Sequence, residues 1–444
     1  MALFKGKKEF FQIVGYVLLA SVIAVNLGLS FRSLKRSHYS PINPAKTEPG
    51  AFTDFYPRWY GSREMIFHGK NPYSAELTLQ NQRAFYGAFD PDDGAGRDPM
   101  GFAYPATVAV PLLPFLPMSY RVAMAFMGLL CIGVYSWGLL KWSEWCCPRI
   151  PGEWRVIITA LSMGLQPAVS SILLLQPSVF AFLGLTAGFY CLRRGKLTAA
   201  GLCLALAATK PQLAVFVVVG LHLYAGFDWK KYRKVIVSFW AMTVGMTAFV
   251  CIFQPDWPLE WLRALVQYKE EAFGARSIVD LWVTNRPIAW LAKAGVILVT
   301  LGLWRKQKDF NGTEFASVYA LSMAASLLVM PAGHIYNHVF IYPVWFLCAD
   351  QITSSKRSLK STALVSFAVA LLFWGWSTVP LILRNVPSLV NYLALSPKIF
   401  ENYNAWAWPW RVAFINPLLL YLVSLYFLIR AIKSSGTPGE NFTV

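Results

Sequence analysis

Ser178-Val-Phe-Ala-Phe-Leu-Gly-Leu-Thr-Ala-Gly-Phe-Tyr-Cys-Leu192 is followed by Arg193-Arg194-Gly195-Lys196, then by Leu197-Thr-Ala-Ala-Gly-Leu-Cys-Leu-Ala-Leu-Ala-Ala-Thr209-Lys210. Two apolar runs joined by a short basic turn form the pattern of a helical hairpin in a membrane. Lipid offers no partner for backbone N–H and C=O groups, so spanning segments of this kind have to be helices. The turn carries the cations, as cytoplasmic loops do.

The pattern repeats in both directions. Apolar runs lie near Phe10–Leu29, Arg121–Leu140 and Trp154–Leu174 before the hairpin, and near Leu213–Gly226, Val235–Phe253 and Pro287–Trp304 after it. Further runs follow near Phe315–Met330, Tyr336–Ala349, Ser361–Leu383 and Val412–Ile432. Together they predict an all-α polytopic membrane protein of about twelve spans. The first run is longer than a signal-peptide core and no small-residue cleavage site follows, so it reads as a retained helix. Composition agrees: 56% of the 444 residues are hydrophobic and 14% charged, against about 25% charged in soluble domains. The formal charge of +18 reads as positive-inside loops, because no basic stripe with interleaved aromatics points to nucleic acid.

With the N-terminus inside, every second loop is short and basic, among them Lys141/Arg149/Arg155, Lys230/Lys231/Arg233/Lys234, Arg305/Lys306/Lys308 and Lys356/Arg357/Lys360. Both termini are then cytoplasmic, in a plasma (inner) membrane. Residues 30–120, 254–286 and 384–411 become long outer segments. They are rich in aromatics, which disordered segments lack, and predict a cap of loops and interfacial helices on a single membrane domain, 1–444. Within the first, Phe102-Ala-Tyr-Pro-Ala-Thr-Val-Ala-Val-Pro-Leu-Leu-Pro-Phe-Leu-Pro117 is apolar, but its four prolines would break a spanning helix repeatedly. It reads as re-entrant or interfacial.

Of the seven cysteines none forms a C-x-x-C pair, so neither zinc nor any other metal is expected. The adjacent Cys146 and Cys147 fall on the inner side, where palmitoylation is a weak reading. Asp90-Pro-Asp92-Asp93-Gly94 does not have calcium-loop spacing and reads as a solvated turn.

Thr53-Asp54-Phe-Tyr56-Pro-Arg58-Trp59-Tyr60 follows the first run. A carboxylate among aromatics near the membrane suits a general base beside a sugar, with Tyr56, Trp59 and Tyr104 as stacking candidates. The alternative is that Thr53 or Asp54 simply caps a helix. Lys210 interrupts apolar sequence at an outer helix end: it either snorkels to the interface or binds an anion. Arg286 and Arg384 also sit where outer loops meet helices. His338, with His334 in reserve, is either a buried structural histidine or a substrate group.

Asp54-Phe-Tyr, Gly69-Lys-Asn-Pro72-Tyr73, Phe102-x-Tyr104-Pro105 with its Pro-Leu-Leu-Pro-Phe-Leu-Pro continuation, Lys210-Pro211-Gln212 and Gly333-His334-Ile-Tyr-Asn337-His338-Val-Phe-Ile-Tyr-Pro343 occur in that order. The ordered set, over about residues 50 to 345, resembles glycosyltransferase family 87, which includes polyprenol-phosphate-mannose-dependent mannosyltransferases. The chain departs from the family in having Tyr104-Pro105-Ala106 for Tyr-Pro-Pro, and Asn337-His338 for paired histidines. The resemblance implies a GT-C bundle and Asp54 as catalytic base. It also implies a site formed by Lys210, Gln212 and the histidine segment. No cofactor is expected. The expected partners are membrane lipids, a polyprenyl-phosphate sugar donor and a lipid or glycan acceptor on the outer face. A lipid or solute transporter (or flippase) and an O-acyltransferase using His334 or His338 are the rival readings.

Overall fold

The computed structural model describes residues 2–36, 53–86, 100–271, 276–307, 310, 312–331, 333–354, parts of 364–378, and 415–435. The outer segment 384–411, Arg384 and the Asp90–Asp93 turn lie outside these residues.

Among the described residues the chain is helical throughout. Helix α1 (Ala2–Arg36) is followed by α2 (Phe55–His68), α3 (Ala75–Tyr86) and the short α4 (Ala109–Leu112), which has a 3-10 turn on each side. Then come α5 (Tyr120–Cys146), α6 (Gly152–Gly164), α7 (Gln166–Leu173), α8 (Ser178–Arg193), α9 (Leu197–Ala207), α10 (Pro211–Phe227) and α11 (Trp229–Cys251). The rest are α12 (Trp257–Glu271), α13 (Ile278–Trp282), α14 (Arg286–Trp304), α15 (Thr313–Val329), α16 (Tyr342–Ser354) and α17 (Ile415–Ser435).

Among the described residues four helices are long and apolar enough to cross a membrane, in α1, α5, α11 and α14, and α6 with α7 makes a fifth if that bent pair is one span. Exposed Val237, Val244, Leu291 and Leu298 are the lipid-facing surface such helices need. The chain is an integral membrane protein. The remaining apolar helices are shorter than expected. Helix α9 has 11 residues, about 17 Å of rise against a hydrocarbon core of about 30 Å. It stops because Lys210 is extended (φ −139°, ψ 72°) ahead of Pro211, the backbone that a following proline favours.

Neighbour contacts give the strand-like alternation of an up-and-down bundle. Gly15 on α1 meets Glu153–Ile157 and Val22 meets Gly164, so α1 and α6 run parallel. Gly128 meets Leu175 and Gly138 meets Phe182, so α5 and α8 are parallel too. Helices α8 and α9 are antiparallel and very close: a Cβ on Gly184 would lie 2.7 Å from the Cys203 carbonyl, and one on Gly188 2.7 Å from Leu204. Small residues four apart allow that approach.

Trp154–Leu174, expected as one span, is broken by 55° between α6 and α7. Pro167 is the cause. In a continuous helix its N–H would serve the Met163 carbonyl, and proline has none. Asn26 of α1 supplies the donor instead, its Nδ2 lying 3.3 Å from that oxygen. Tyr336–Ala349, expected as one helix, begins as a 3-10 segment, Ile335–Ile341. The proline-rich stretch folds as short turns between 106 and 115 with Ala106, Val108, Ala109 and Leu112 fully buried. The Cys146 and Cys147 side chains are buried, and the Cys147 thiol lies 3.0 Å from the Phe346 carbonyl. Neither thiol is presented for acylation.

Candidate functional site

Helix α2 is fixed at several points. Thr53 and Tyr120 share a hydroxyl–hydroxyl bond of 2.6 Å, and the Trp59 indole N–H donates to the Phe115 carbonyl at 2.9 Å. Tyr56 is buried against Tyr60 and Tyr120. Tyr56 and Trp59 are therefore packed side chains of α2, 3% and 5% exposed, rather than open platforms for a sugar ring.

Asp54 occupies the position before α2, yet its backbone is already helical (φ −65°, ψ −10°) and its side chain makes no capping bond. Its carboxylate instead accepts a hydrogen bond at Oδ2 from Nε2 of Gln176, 122 residues away. Asp54 therefore does not cap α2 through its side chain. One turn along, Arg58 donates to the Asp54 carbonyl oxygen at 3.2 Å and lies 4.8 Å from the centre of the Tyr104 ring.

Tyr104 is set by the motif residues before it. Gly69 takes the left-handed conformation (φ 65°) that ends α2. The Asn71 side chain accepts from the Tyr73 N–H at 2.9 Å, and the Tyr73 hydroxyl donates to the Tyr104 carbonyl at 2.9 Å. The Tyr104 hydroxyl reaches Oε1 of Gln176 at 3.4 Å.

Lys210 enters from the turn between α9 and α10. It is buried, 4% exposed. Its ammonium donates to Oδ1 of Asn337 at 3.1 Å and lies 5.1 Å from the Tyr104 ring and 5.2 Å from the Tyr336 ring. Burial and then the Arg58 charge pull its pKa down to about 7, with Asp54 opposing. His334 stacks on Tyr336 at 4.9 Å. Burial, then Lys210 and Arg58, hold it near a pKa of about 4, so it is a neutral imidazole at pH 7.

The structure therefore brings Asp54, Tyr104, Lys210 and His334 together. His338 is fully buried and receives the Trp374 indole N–H at 3.4 Å. Within the 3-10 segment it is Asn337 that accepts from Lys210. Gln212 is half-buried in the first turn of α10. Arg286 opens α14 exposed and makes none of the contacts that define the cluster.

Arg58, Gln176 and Asn337 are the residues that sequence reasoning missed. Arg58 had a signal, being four residues after Asp54 and so on the same helix face. Gln176-Pro177 had another, since Lys210-Pro211 is also a polar residue placed before a helix-opening proline.

A carboxylate, a neutral imidazole and two buried cations thus form one polar cluster among apolar helices. The chain matches the model of glycosyltransferase family 87 over residues 102–331 and belongs to that family. It is a glycosyltransferase, which sets aside the transporter and acyltransferase readings. No curated protein and no solved structure matches it. The matched segment holds Tyr104, Gln176 and Lys210. Asp54, Arg58, His334 and Asn337 lie outside it and join them through the fold.

Proposed function

We propose that this glycosyltransferase takes its sugar, mannose by default, from a polyprenyl-phosphate donor and passes it with inversion to a lipid or glycan hydroxyl at the outer face of the plasma membrane. The observation that carries the reading is a pair of buried cations set against one aromatic ring. Arg58 and Lys210 are 9% and 4% exposed, and both lie against Tyr104, with Asp54 the carboxylate beside them. Buried charge is costly unless paired, so the site suits an anionic ligand. A phosphate linked to a polyprenol supplies the anion and keeps its tail in the bilayer.

In the reaction, the acceptor O–H gives its proton to the Asp54 carboxylate. The acceptor oxygen bonds to the anomeric carbon from the face opposite the phosphate. The bond from that carbon to the phosphate oxygen breaks, and its electron pair leaves on the phosphate. Arg58 and Lys210 stabilise the charge that develops there. Neutral His334 can donate one hydrogen bond to the same anion. Asp54 thus needs no acid partner, because the leaving group departs as a stable anion.

Residues 30–120 and 254–286 supply the outer cap in this reading. The test is to incubate the purified full chain with labelled polyprenyl-phosphate mannose and native lipid extract. Labelled product lipid that requires Lys210 and Asp54 is expected. Transfer from a nucleotide-sugar with none from the lipid phosphate would sink the donor assignment.

A further inference from the structure

We infer that Gln176 is the positioning residue for the base, a rigid link that fixes the Asp54 carboxylate relative to the anion site. This rests on the reading of Asp54 as base.

Gln176 is 1% exposed, and its two ends are committed to two different partners. Nε2 donates to Oδ2 of Asp54, and Oε1 faces the Tyr104 hydroxyl at 3.4 Å. The chemistry of those partners fixes which way round the amide sits. An ionised carboxylate only accepts, so it must face the NH₂, and the phenol can then donate to the remaining oxygen. The reverse orientation would set an amide oxygen against a carboxylate.

The backbone around Gln176 is equally constrained. Leu175 adopts the left-handed conformation (φ 51°), uncommon for a branched residue. The Gln176 N–H donates back to the Ser171 carbonyl at 3.0 Å, and Pro177 follows. This turn at the end of α7 delivers one side chain to Asp54 across 122 residues of sequence.

Tyr104 extends the link. Its ring lies beside Arg58 and Lys210, and its carbonyl is tied to Tyr73. Asp54, Gln176, Tyr104 and the two cations thus form one chain from base to phosphate site. Inversion needs the base and the leaving phosphate on opposite sides of the anomeric carbon, at a set separation. Gln176 is the neutral segment of that chain, able to orient the carboxylate without adding charge. It acts through Asp54 and need not touch the sugar.

Two arms test this on the purified full chain. In the first, Asp54 is modified with a carbodiimide, which attacks protonated carboxyls, and the modified peptide is followed by mass spectrometry against pH. In Q176E two adjacent carboxyls would retain one proton between them, so modification of Asp54 should persist to higher pH than in the wild type. In the second arm, transfer is assayed with labelled polyprenyl-phosphate mannose and lipid extract. Q176L should lower kcat by up to about 10²-fold, the cost of a small misplacement of a reacting group, while KM for the donor stays within about threefold. Q176E should move the acid limb of the pH–activity profile toward alkaline pH, and this near-isosteric variant keeps the test alive if Q176L does not fold.

Unchanged Asp54 modification in Q176E overturns the inference. So does a Q176L enzyme with normal kcat, or one that loses donor affinity as much as turnover. D54N separates the two claims. If D54N turns over normally, the base reading itself is wrong. If D54N is inactive while both Gln176 variants behave as wild type, only the role of Gln176 falls.

Discussion

Two buried lysines, Lys293 and Lys210, share a residue type and differ in what they face. Lys293, on α14, is 9% exposed. It lies 2.6 Å from the Asp280 carboxylate, which also accepts from the Ser277 hydroxyl at 2.7 Å. Its charge is balanced inside the protein. Lys210 is more deeply buried, yet its ammonium meets a neutral carboxamide and two aromatic rings. The Asp280 pair ties α13 to α14. Just before α13, the Arg276 carbonyl receives the Gly333 N–H at 3.1 Å, where a Cβ on Gly333 would come within 2.8 Å of that oxygen. Lys293 therefore belongs to an internal ion pair near the Gly333 contact, whereas Lys210 is the cation that the proposed function assigns to the donor phosphate.

The sharpest ways to break this comparison come from the reaction. Asp54→Asn should lower turnover by roughly 10²–10⁴-fold, as expected for loss of a general base, with donor binding kept. Retained turnover in a folded protein would refute the assignment. Lys210→Met should weaken donor binding by about 10–100-fold, the size of a lost charged hydrogen bond of about 1.5–3 kcal/mol. Its melting temperature should be unchanged or raised, because a costly buried charge has gone. A clear drop in stability without loss of donor affinity would make Lys210 structural, like Lys293.

Titration gives a milder test. With its pKa lowered to about 7 by burial and then the Arg58 charge, Lys210 is charged below that pH and loses its proton above it. A phosphate donor binds the charged form, so affinity should be fully present at pH 6 and fall about tenfold by pH 8. Calorimetry in two buffers should also detect proton uptake on binding at pH 8. Affinity that rises with pH would contradict the assignment. The smallest effect is expected for Lys293→Met. It should lower stability by about 1–3 kcal/mol by leaving Asp280 without its partner, toward the low end because Asp280 is 36% exposed. Adding Asp280→Asn should recover part of the loss. Donor affinity in the double variant should be close to wild type, as measured by equilibrium binding.

The helices were legible because apolar runs and basic turns mark them directly. Breaks inside them were harder to read. Pro167 announces a weak point, but the Asn26 amide that makes the break tolerable lies 137 residues before the Met163 carbonyl it serves. Asp54 and Lys210 could be picked out by charge in apolar surroundings. Gln176 is uncharged, and its meaning depends on a turn geometry at Leu175 that no spacing rule signals. The 3-10 start of the histidine segment was hidden for a similar reason. An α-helix through Tyr336–Ala349 and the observed 3-10 segment present different neighbours on the same face, and only the latter aims Asn337 at Lys210. Tyr56 and Trp59 were expected at the sugar because aromatics serve both stacking and packing, and sequence does not separate these uses.

Asn26 also has a consequence for the order of synthesis. Emerging with α1, it would enter the bilayer long before Met163 exists to receive it. In the meantime its Nδ2 has an acceptor on its own helix, the Val22 carbonyl at 3.0 Å. Helix α1 can thus be released into lipid early with that N–H already paired. Its join to α6 waits for the ribosome to finish the bent pair, so replacing Asn26 should leave insertion of α1 intact and impair the later docking of its neighbours.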